Sequence, residues 1–375
     1  MKLIIRAFTV ADSLGFIEPV LPSLTKRYHL QILTSPDERL NQVSSQYKIK
    51  SHPVYMYRRM SPMKDLKSLW QIIRVFRKEK PDMVHSMTPK AGLLCMLAAW
   101  MTRVPRRVHT FTGLVWPTST GLKRKILMFT DWVTCACATH VIPEGQGVLN
   151  DLQQHITKKP MKVLGYGNIK GVDMERVSRR QEVMEKSAEI REDDKYTFIF
   201  VGRIVGDKGI NELVSAFAKL NEKYPDTRLL IVGNYEENLD PLKVDTLCRI
   251  KENMAIEAVG PKYGDELLAY YAASDCFVFP SYREGFPNTV LEAGAMELPS
   301  IVTDINGSRE IIEDGFNGIV IPSKDDAALY DAMEKIMTNR ADAERMALNA
   351  RPLIAERFEQ GFVRQCLLDF YEEIM

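Results

Sequence analysis

The chain has 375 residues, 45% of them apolar and 26% charged, which is the balance of a soluble globular protein with about two domains and not that of a disordered chain. Its longest charge-free apolar run, 91–101, has eleven residues, and this excludes a typical membrane-spanning helix, which needs about 20. The net charge of +1 is split, because residues 1–180 carry 29 Lys and Arg against 12 Asp and Glu, while the rest carry 21 against 37.

This charge split and the scattered cysteines indicate where the protein works. A basic first half suits an anionic lipid surface, a phosphorylated acceptor or nucleic acid, although attraction between two oppositely charged domains would also explain it. Of the six cysteines only Cys135 and Cys137 are close together, so neither a disulfide framework nor a zinc site is expected. Charged residues interrupt the N-terminal apolar run, so we expect no signal peptide and a cytoplasmic location.

The first half alternates apolar runs with amphipathic stretches. Strands are predicted at 2–8, 29–33, 83–85 and 107–111, and a loop with Ser13, Leu14 and Gly15 is predicted before a helix that ends near Lys26. Apolar residues at helical spacing predict a further helix from 66 to 76. This alternation is typical of parallel β-α-β units.

The second half repeats the pattern more clearly. Buried strands are predicted at 196–201, 228–232, 276–280 and 300–303, with helices at 210–220, 266–273 and from 342 to the end. The fold class is therefore α/β, with two doubly wound domains joined near 165–172. Ligands bind such folds beyond the carboxyl ends of the parallel strands.

The segment 201–209 follows one of these strands and precedes an amphipathic helix. Its glycines allow close backbone approach, and the next helix offers a positive N-terminus to an anion. Arg203 and Lys208 add two cations that can grip a diphosphate. The segment is neither a Walker loop nor a dinucleotide fingerprint. An ordinary solvated loop is the competing interpretation.

A second segment, 281–295, also follows a buried strand. Asn288 or Thr289 is predicted as the N-cap of a helix that runs to Glu297. Glu284 then lies in the loop before the helix and Glu292 in its first turns, where both could accept hydrogen bonds from sugar hydroxyls. Two glutamates eight positions apart are weak evidence alone, but the Glu-Gly-Phe-Pro turn strengthens the signal.

These motifs resemble those of the retaining glycosyltransferases of family 4, and the resemblance covers nearly the whole chain. It implies the GT-B fold, in which two Rossmann-like domains face each other across a cleft. The domains would be 1–170 and 171–355, with 356–375 forming a helix that returns to the first domain. The matching segments are Glu284–Glu292, Gly202-Arg203, Lys208-Gly209, the loop near Gly15, 108–113, 165–173 and Gly307–Glu310.

The resemblance also implies roles for individual residues. Arg203 and Lys208 would neutralise the diphosphate of a nucleotide-sugar donor, and Glu284 would orient its sugar. No metal is implied, because the sequence contains no Asp-x-Asp motif. The donor-binding residues implied are Gly15, Gly202, Val232, Gly233, Gly260, Tyr263, Gly285, Phe286, Pro287, Asn288, Thr289 and Glu292, the last of which would accept the ribose hydroxyls.

The first domain departs from the family at one position. Many members have a histidine where this chain has Thr112, directly before Gly113. The nearest histidine, His109, lies three residues earlier and would point to the other face of a strand. His109, Thr112 and Gly113 are candidate sugar or acceptor residues, while a half-buried structural role is the competing interpretation for His109.

Two further features concern the acceptor. Lys90 lies where a strand turns into an apolar helix and is a candidate for an acceptor phosphate, or else an ordinary helix-start lysine. Basic stretches with apolar neighbours are typical of a surface that lies on an anionic leaflet, although a solvated helix face would look similar. These stretches are 57–59, 74–80 and 123–125, and the neighbours are Tyr57, Trp70, Phe76, Leu122, Ile126 and Leu127.

The sequence thus predicts a retaining, metal-independent enzyme that transfers a sugar from a nucleotide-diphospho-sugar to a lipid-linked saccharide. UDP is the expected nucleotide and GDP the alternative, and bacterial surface polysaccharide is the expected product. The enzyme would be cytoplasmic and peripheral to the inner face of the plasma membrane, with no nucleic acid as partner. A nucleotide-sugar epimerase or hydrolase on the same fold is the nearest alternative. A non-catalytic lipid- or nucleic-acid-binding protein and an NAD-dependent oxidoreductase are more remote.

Overall fold

Two compact units make up the chain in a computed structural model that describes residues 1–57, 61–236 and 240–375. The first unit comprises Met1–Gly171 together with Gln360–Met375. The second unit comprises Val172–Glu359. The final segment of the chain is therefore part of the N-terminal unit, and the chain leaves the second unit four residues later than the boundary at 355 that the sequence predicted.

The first unit is built on a parallel sheet that has six strands in the part of the chain described, in the order β3-β2-β1-β4-β5-β6. Its four central strands confirm the predicted ones, whereas the two edge strands were missed. Edge strand β3 has the polar sequence Lys-Ser-His-Pro, which shows no apolar run. The strands are β1 (Leu3–Ala7), β2 (His29–Thr34), β3 (Lys50–Pro53), β4 (Met83–Met87), β5 (Arg106–Phe111) and β6 (His140–Pro143).

Helices cover both faces of this sheet, which is why its central strands are almost entirely buried. The predicted loop at Ser13–Gly15 is wrong, because these residues lie in a short 3-10 helix, Ala11–Phe16. Further 3-10 turns are Glu18–Val20 and Trp116–Thr118. The α-helices are α1 (Leu21–Arg27), α2 (Glu38–Tyr47), α3 (Pro62–Glu79), α4 (Pro89–Met101), α5 (Gly121–Cys137) and α6 (Gln146–His155).

The second unit repeats this architecture. Over the residues described, its parallel sheet has six strands in the order β12-β11-β10-β7-β8-β9. The four central strands again confirm the prediction, and the two short edge strands, β9 and β12, were again missed. The strands are β7 (Tyr196–Val201), β8 (Thr227–Val232), β9 (Ile256–Gly260), β10 (Cys276–Phe279), β11 (Ser300–Thr303) and β12 (Gly318–Ile321).

The remaining helices surround the second sheet, except for the last one, which packs in the first unit. The prediction that the chain is helical from 342 to its end is confirmed apart from one break, because the chain leaves the helical conformation at Glu359 (φ −57°, ψ 136°) and then starts a new helix. The helices are α7 (Gln181–Ala188), α8 (Ile210–Lys223), α9 (Val244–Glu252), α10 (Gly264–Ala272), α11 (Asn288–Ala295), α12 (Ser308–Ile311), α13 (Asp326–Thr338), α14 (Arg340–Phe358) and α15 (Gln360–Ile374).

Helix α15 is anchored in the first unit by a buried polar cluster. Tyr371 is fully buried, and its hydroxyl accepts a 2.6 Å hydrogen bond from Arg6 Nη1 and lies 2.6 Å from His85 Nδ1. Arg6 and His85 are themselves buried. Hydrogen bonds of this kind are worth more in a dry interior than in water, so the cluster ties α15 to β1 and β4.

Candidate functional site

Each sheet reverses its direction of growth between two neighbouring strands. In the second unit β7, β8 and β9 are added on one side, and the chain then returns to add β10, β11 and β12 on the other side of β7. Doubly wound sheets bind ligands at the carboxyl ends of the strands at such a reversal. The two motifs recognised in the sequence, 202–209 and 281–287, are the loops that follow β7 and β10.

Three glycines lie side by side at the carboxyl ends of neighbouring strands. The Gly202 amide donates to the Val232 carbonyl at 3.0 Å, and the Gly233 amide donates to the Gly260 carbonyl at 3.1 Å. Tyr263 precedes α10 and is largely exposed. The structure therefore brings Gly202, Val232, Gly233 and Gly260, four of the predicted donor-binding residues, together along an edge where the small glycines keep the backbone accessible.

Lys208 and Glu284 form an ion pair that joins the two loops. Lys208 Nζ is hydrogen-bonded to Glu284 Oε1, and Ser281 Oγ donates a 2.8 Å hydrogen bond to the same carboxylate oxygen. The two charged side chains are only 13% and 15% exposed, and the ammonium lies 5.2 Å from the centre of the Phe279 ring. Charges in such a partly dry setting act more strongly on a ligand than they would in water.

Arg203, the other predicted diphosphate-binding cation, lies in the same loop but in a different setting. Its side chain is exposed, and Nη1 lies 3.0 Å from Glu236 Oε2. An exposed ion pair is worth about 0–1 kcal/mol. Turning the guanidinium from Glu236 toward a bound anion therefore costs little.

A hydrogen-bonded network that the sequence did not reveal holds the two loops together. Arg283 Nη2 lies 2.8 Å from Asp207 Oδ2, and the Asp207 amide donates to Asp240 Oδ2 at 2.6 Å. The Tyr282 hydroxyl donates to Glu212 Oε2 at 2.6 Å, and burial together with this carboxylate raises the pKa of Tyr282. Partners more than 30 residues apart leave no local signal in a sequence, so only the folded chain identifies them.

Two glycines, one before α8 and one in the loop after β11, let the backbone approach the loop after β10 closely. Gly209 has φ +73°, and a Cβ atom placed there would lie 2.0 Å from the Pro280 carbonyl oxygen. Gly307 has φ +76°, and its Cβ would lie 2.3 Å from the Gly285 carbonyl oxygen. Both positions therefore require glycine for conformation and for space.

The turn after β10 leads directly into α11. The predicted N-cap at Asn288 or Thr289 is wrong, because Pro287 is the N-cap and Asn288 is the first helical residue. The helix also ends at Ala295 and not at Glu297. Gly285, Phe286 and Pro287 are buried, so the first-turn amides of α11, with the partial positive charge of a helix N-terminus, begin right after a fixed turn.

Glu292 lies in the second turn of α11 and is half-buried. Its carboxylate is close enough to the buried Tyr271 to raise the pKa of that phenol, although burial is the larger cause. The Tyr271 hydroxyl donates a long 3.4 Å hydrogen bond to the Thr289 carbonyl. The structure thus places Glu292 on the helix that starts at the reversal, eight residues after Glu284 in sequence.

The first unit has a corresponding reversal between β1 and β4. Thr9 Oγ1 lies 2.7 Å from Thr88 Oγ1 and accepts a 3.2 Å hydrogen bond from the Ala91 amide. Thr88 has φ +71° and ψ 145°, a strained conformation for a β-branched residue. Strain of this kind often marks a ligand site, and the sequence did not single out Thr88. Gly15 is half-buried in the 3-10 helix that follows β1.

Lys90 lies at the start of α4, and its ammonium is paired in this structure. Nζ lies 2.5 Å from Oδ2 of Asp65 on α3, and both side chains are mostly buried. A phosphate would have to share the ammonium with this carboxylate. The acceptor role of Lys90 stays a prediction.

His109 is buried in β5, beneath α4. Its Nδ1 lies 2.8 Å from Ser86 Oγ, and a Cβ atom at Gly92 would lie 2.4 Å from its Cε1. Full burial lowers the pKa of His109 to about 3, so the ring is neutral at pH 7. This packing favours the structural role and offers no support for direct sugar contact. Thr112 and Gly113, which follow β5 directly, are half-buried at its carboxyl end.

Acidification is expected to destabilise the protein through His109. Because the folded pKa is about 3 and the unfolded one about 6.5, the unfolded state binds more protons between these values, and stability falls as pH falls through that window. The loss from His109 is about 2 kcal/mol between pH 7 and pH 5. Urea denaturation of wild type and His109→Asn at both pH values measures it. Equal losses in the two proteins would contradict this assignment, since buried His85 acts in both.

Two family models match the chain, one in each unit. The model described as glycosyl transferases group 1 matches residues 182–352, and the model described as glycosyl transferase 4-like matches residues 7–142. The first match includes the Lys208–Glu284 pair and α11. The second begins in β1 and ends in β6.

Comparisons over whole chains agree with these matches. The chain is 29% identical over 375 residues to the capsular polysaccharide biosynthesis glycosyltransferase CapM of Staphylococcus aureus, covering 99% of this chain and 97% of CapM. It is 29% identical to the UDP-Gal:alpha-D-GlcNAc-diphosphoundecaprenol alpha-1,3-galactosyltransferase of Escherichia coli, covering 80% and 78%. The crystal structure of HepE from Anabaena in complex with UDP and glucose superposes with a TM-score of 0.82 at 16% identity, over 100% of both chains. The fold prediction of two Rossmann-like domains is confirmed.

Proposed function

This chain belongs to the group 1 glycosyl transferases, and we propose that it moves a sugar, with retention of anomeric configuration, from a UDP-linked donor to a lipid-linked saccharide. The observation that carries the proposal is the Lys208–Glu284 pair at the β7–β10 reversal. One residue of the pair is suited to a leaving diphosphate and the other to a sugar hydroxyl. A site with both residues is suited to breaking the bond between the donor sugar and its diphosphate.

The diphosphate leaving group is the part of the reaction that the second unit serves most directly. As the glycosidic bond to the donor breaks, negative charge grows on the departing oxygen, and fixed positive groups stabilise it. Lys208 supplies a partly desolvated charge, Arg203 an exposed one, and the N-terminus of α11 a partial one. We therefore propose that the reaction needs no metal ion. A diphosphate-binding role for Gly15 stays a prediction from the family resemblance.

Glu284 would orient the donor sugar through its hydroxyls. Oε1 already accepts hydrogen bonds from Lys208 and Ser281, so the carboxylate is held in one position before a sugar arrives. Preorganisation of this kind reduces the cost of ordering at the moment of reaction. The acceptor hydroxyl would attack the face from which the diphosphate leaves, which accounts for retention without a covalent intermediate on the protein.

The names of relatives and the chemistry of the site together support the proposed donor nucleotide and acceptor. The Escherichia coli relative is named for a UDP-linked donor and for an acceptor on diphosphoundecaprenol, and the Staphylococcus aureus relative is named for capsular polysaccharide. Glu292 would accept the ribose hydroxyls, and the glycine edge Gly202–Gly233–Gly260 would receive the base. The corresponding process is surface-polysaccharide synthesis, and the corresponding location is the inner face of the bacterial plasma membrane.

A thermal-denaturation series with UDP, GDP, ADP, CMP and NAD tests the donor assignment. At a concentration of about 100 times its dissociation constant, the bound nucleotide should stabilise the protein by about 2.7 kcal/mol. We expect the denaturation temperature to rise with UDP, and we expect EDTA to leave this rise unchanged. A rise with NAD alone, or with none of the nucleotides, would contradict the proposal, and a rise with GDP would replace UDP by GDP.

A nucleotide-sugar epimerase or hydrolase on the same fold is the alternative, and omitting the acceptor separates it from a transferase. The NMR spectrum of the UDP-sugar should then stay unchanged over many hours. Adding a lipid-linked acceptor should produce UDP together with a new glycosidic linkage of the donor's own anomeric configuration. Conversion of the UDP-sugar without acceptor would favour the alternative.

A further inference from the structure

Helices α3, α4 and α5 present unusually many large apolar side chains to solvent. The helices form one layer on the first sheet, with α4 packed between α3 and α5. Trp70 on α3, Trp100 on α4 and Trp132 on α5 are 52%, 57% and 50% exposed. Soluble proteins seldom leave several tryptophans open on one layer, and such a surface indicates an interaction site.

Helix α5 carries a continuous apolar ridge within this layer. Leu122, Ile126, Phe129 and Trp132 recur at intervals of three and four residues, and all are exposed. Phe129 and Trp132 stack with their ring centres 5.8 Å apart. The opposite face of α5 packs against the core through Leu127 and Met128. The helix is therefore apolar on the face that it turns to solvent.

Cations flank the apolar side chains. Lys123, Arg124 and Lys125 follow Leu122 on α5 and are exposed. On α3 the Arg74 guanidinium lies 3.3 Å from the centre of the Trp70 ring. The acidic residues of α3, Asp65 and Glu79, are paired with Lys90 and Lys50, so neither offsets these cations.

We propose that the α3–α5 face docks on an anionic lipid leaflet, with the α5 ridge and the exposed tryptophans entering the headgroup region. Tryptophan prefers that region, and cations beside it attract anionic headgroups. A second copy of the chain is a poorer occupant, because a two-fold interface on this face would bring the Lys123–Lys125 clusters together. The inference rests on the proposed function in one respect, that a lipid-linked acceptor requires the enzyme to work at a membrane.

The structure also corrects the surface expected from sequence. Phe76 is buried in the core and Leu127 is half-buried against it, so neither belongs to the face. Trp100, Phe129 and Trp132 belong to it but were not predicted. Of the predicted stretch 57–59, Tyr57 is exposed, while 58 and 59 lie outside the described residues. No helix in the described ranges is long and apolar enough to cross a bilayer.

Flotation with vesicles of equal parts phosphatidylglycerol and phosphatidylcholine tests the proposal on the full chain. Wild type should float at low salt and less at high salt, and its tryptophan emission should shift to the blue. Lys123→Glu/Lys125→Glu should bind at least about 25-fold more weakly, since each cation lost is worth about fivefold. Phe129→Ser/Trp132→Ser should also bind more weakly. Matched controls in the second unit are Lys243→Glu/Lys251→Glu and Val244→Ser/Met254→Ser, all at exposed positions.

The binding of each variant relative to its control decides whether the α3–α5 face docks on lipid. Equal binding by a variant and its control overturns the proposal, as does binding that does not depend on phosphatidylglycerol. A sedimentation experiment without lipid that shows Phe129→Ser/Trp132→Ser converting a dimer to a monomer, with vesicle binding unchanged, would assign the face to a second copy. UDP-induced stabilisation is measured separately on the same variants. If UDP did not stabilise the wild-type protein, the proposed function would be contradicted, while the docking result would stand.

Discussion

Lys208→Ala is expected to lower kcat by about 100- to 1,000-fold, with a smaller rise in KM for the nucleotide-sugar. The ammonium is 13% exposed and lies beside the Phe279 ring, so it acts on the leaving diphosphate through little water. Its interaction grows as the bond breaks, and a group that acts mainly in the transition state affects kcat more than binding. Steady-state kinetics with the UDP-sugar and a lipid-linked acceptor measure the loss.

The control for this prediction must separate catalysis from stability, because Lys208→Ala also leaves Glu284 without its cation. Lys219→Ala is a matched variant, since Lys219 is ion-paired to Asp326 but is 55% exposed. It should keep wild-type kcat. Lys208→Ala/Glu284→Gln removes both charges, and it should recover stability but not activity. Full activity in a folded Lys208→Ala protein would contradict the assigned role.

Gly209→Ala is expected to destabilise the protein by about 2–4 kcal/mol, from an overpacked backbone contact and an unfavourable φ together. The added Cβ would lie 2.0 Å from the Pro280 carbonyl oxygen, and backbone on both sides limits the relaxation. The loops after β7 and β10 would have to separate, so UDP affinity should fall as well. Urea denaturation and UDP titration of the same variant measure the two effects.

Gly315→Ala provides a matched control for Gly209→Ala. Gly315 also has φ +73°, but a Cβ atom there meets nothing within 4 Å. Only the conformational penalty of about 1–2 kcal/mol should remain, and UDP affinity should not change. If the two variants lost equal stability, the close contact between the loops would not be the cause.

The regular elements were predictable wherever a strand is covered on both faces. Strand β8 is buried along its whole length and β7 at every residue but its first, so they stand out as apolar runs. The missed strands β3, β6, β9 and β12 are the sheet edges. The polar sequence of β3, Lys50–Pro53, is tolerated there because one neighbour is lacking, whereas β6 and β12 are apolar. The predicted helix boundaries were wrong where a turn sets the boundary, as at Pro287 and Glu359.

The candidate site was predictable in its motifs but not in its network. Lys208 and Glu284 were identified because each follows a strong strand in a glycine-containing loop. Their pairing, and the Asp207–Arg283 contact beside it, depends on β7 and β10 becoming neighbours across 76 residues of chain. For His109 the sequence suggested a site residue, and only its position under Gly92 in the folded chain reveals a neutral core residue.

The sequence by itself determined the two α/β units, the loops that carry charge and glycine, and the basic character of the first half. These are properties of short segments, since burial periodicity, turn chemistry and composition act locally. Tertiary structure alone decided which loops meet at the reversal, which cation is desolvated, and which apolar residues of α3–α5 face solvent. Those properties depend on contacts between residues distant in the chain, and strand order in the sheet sets them.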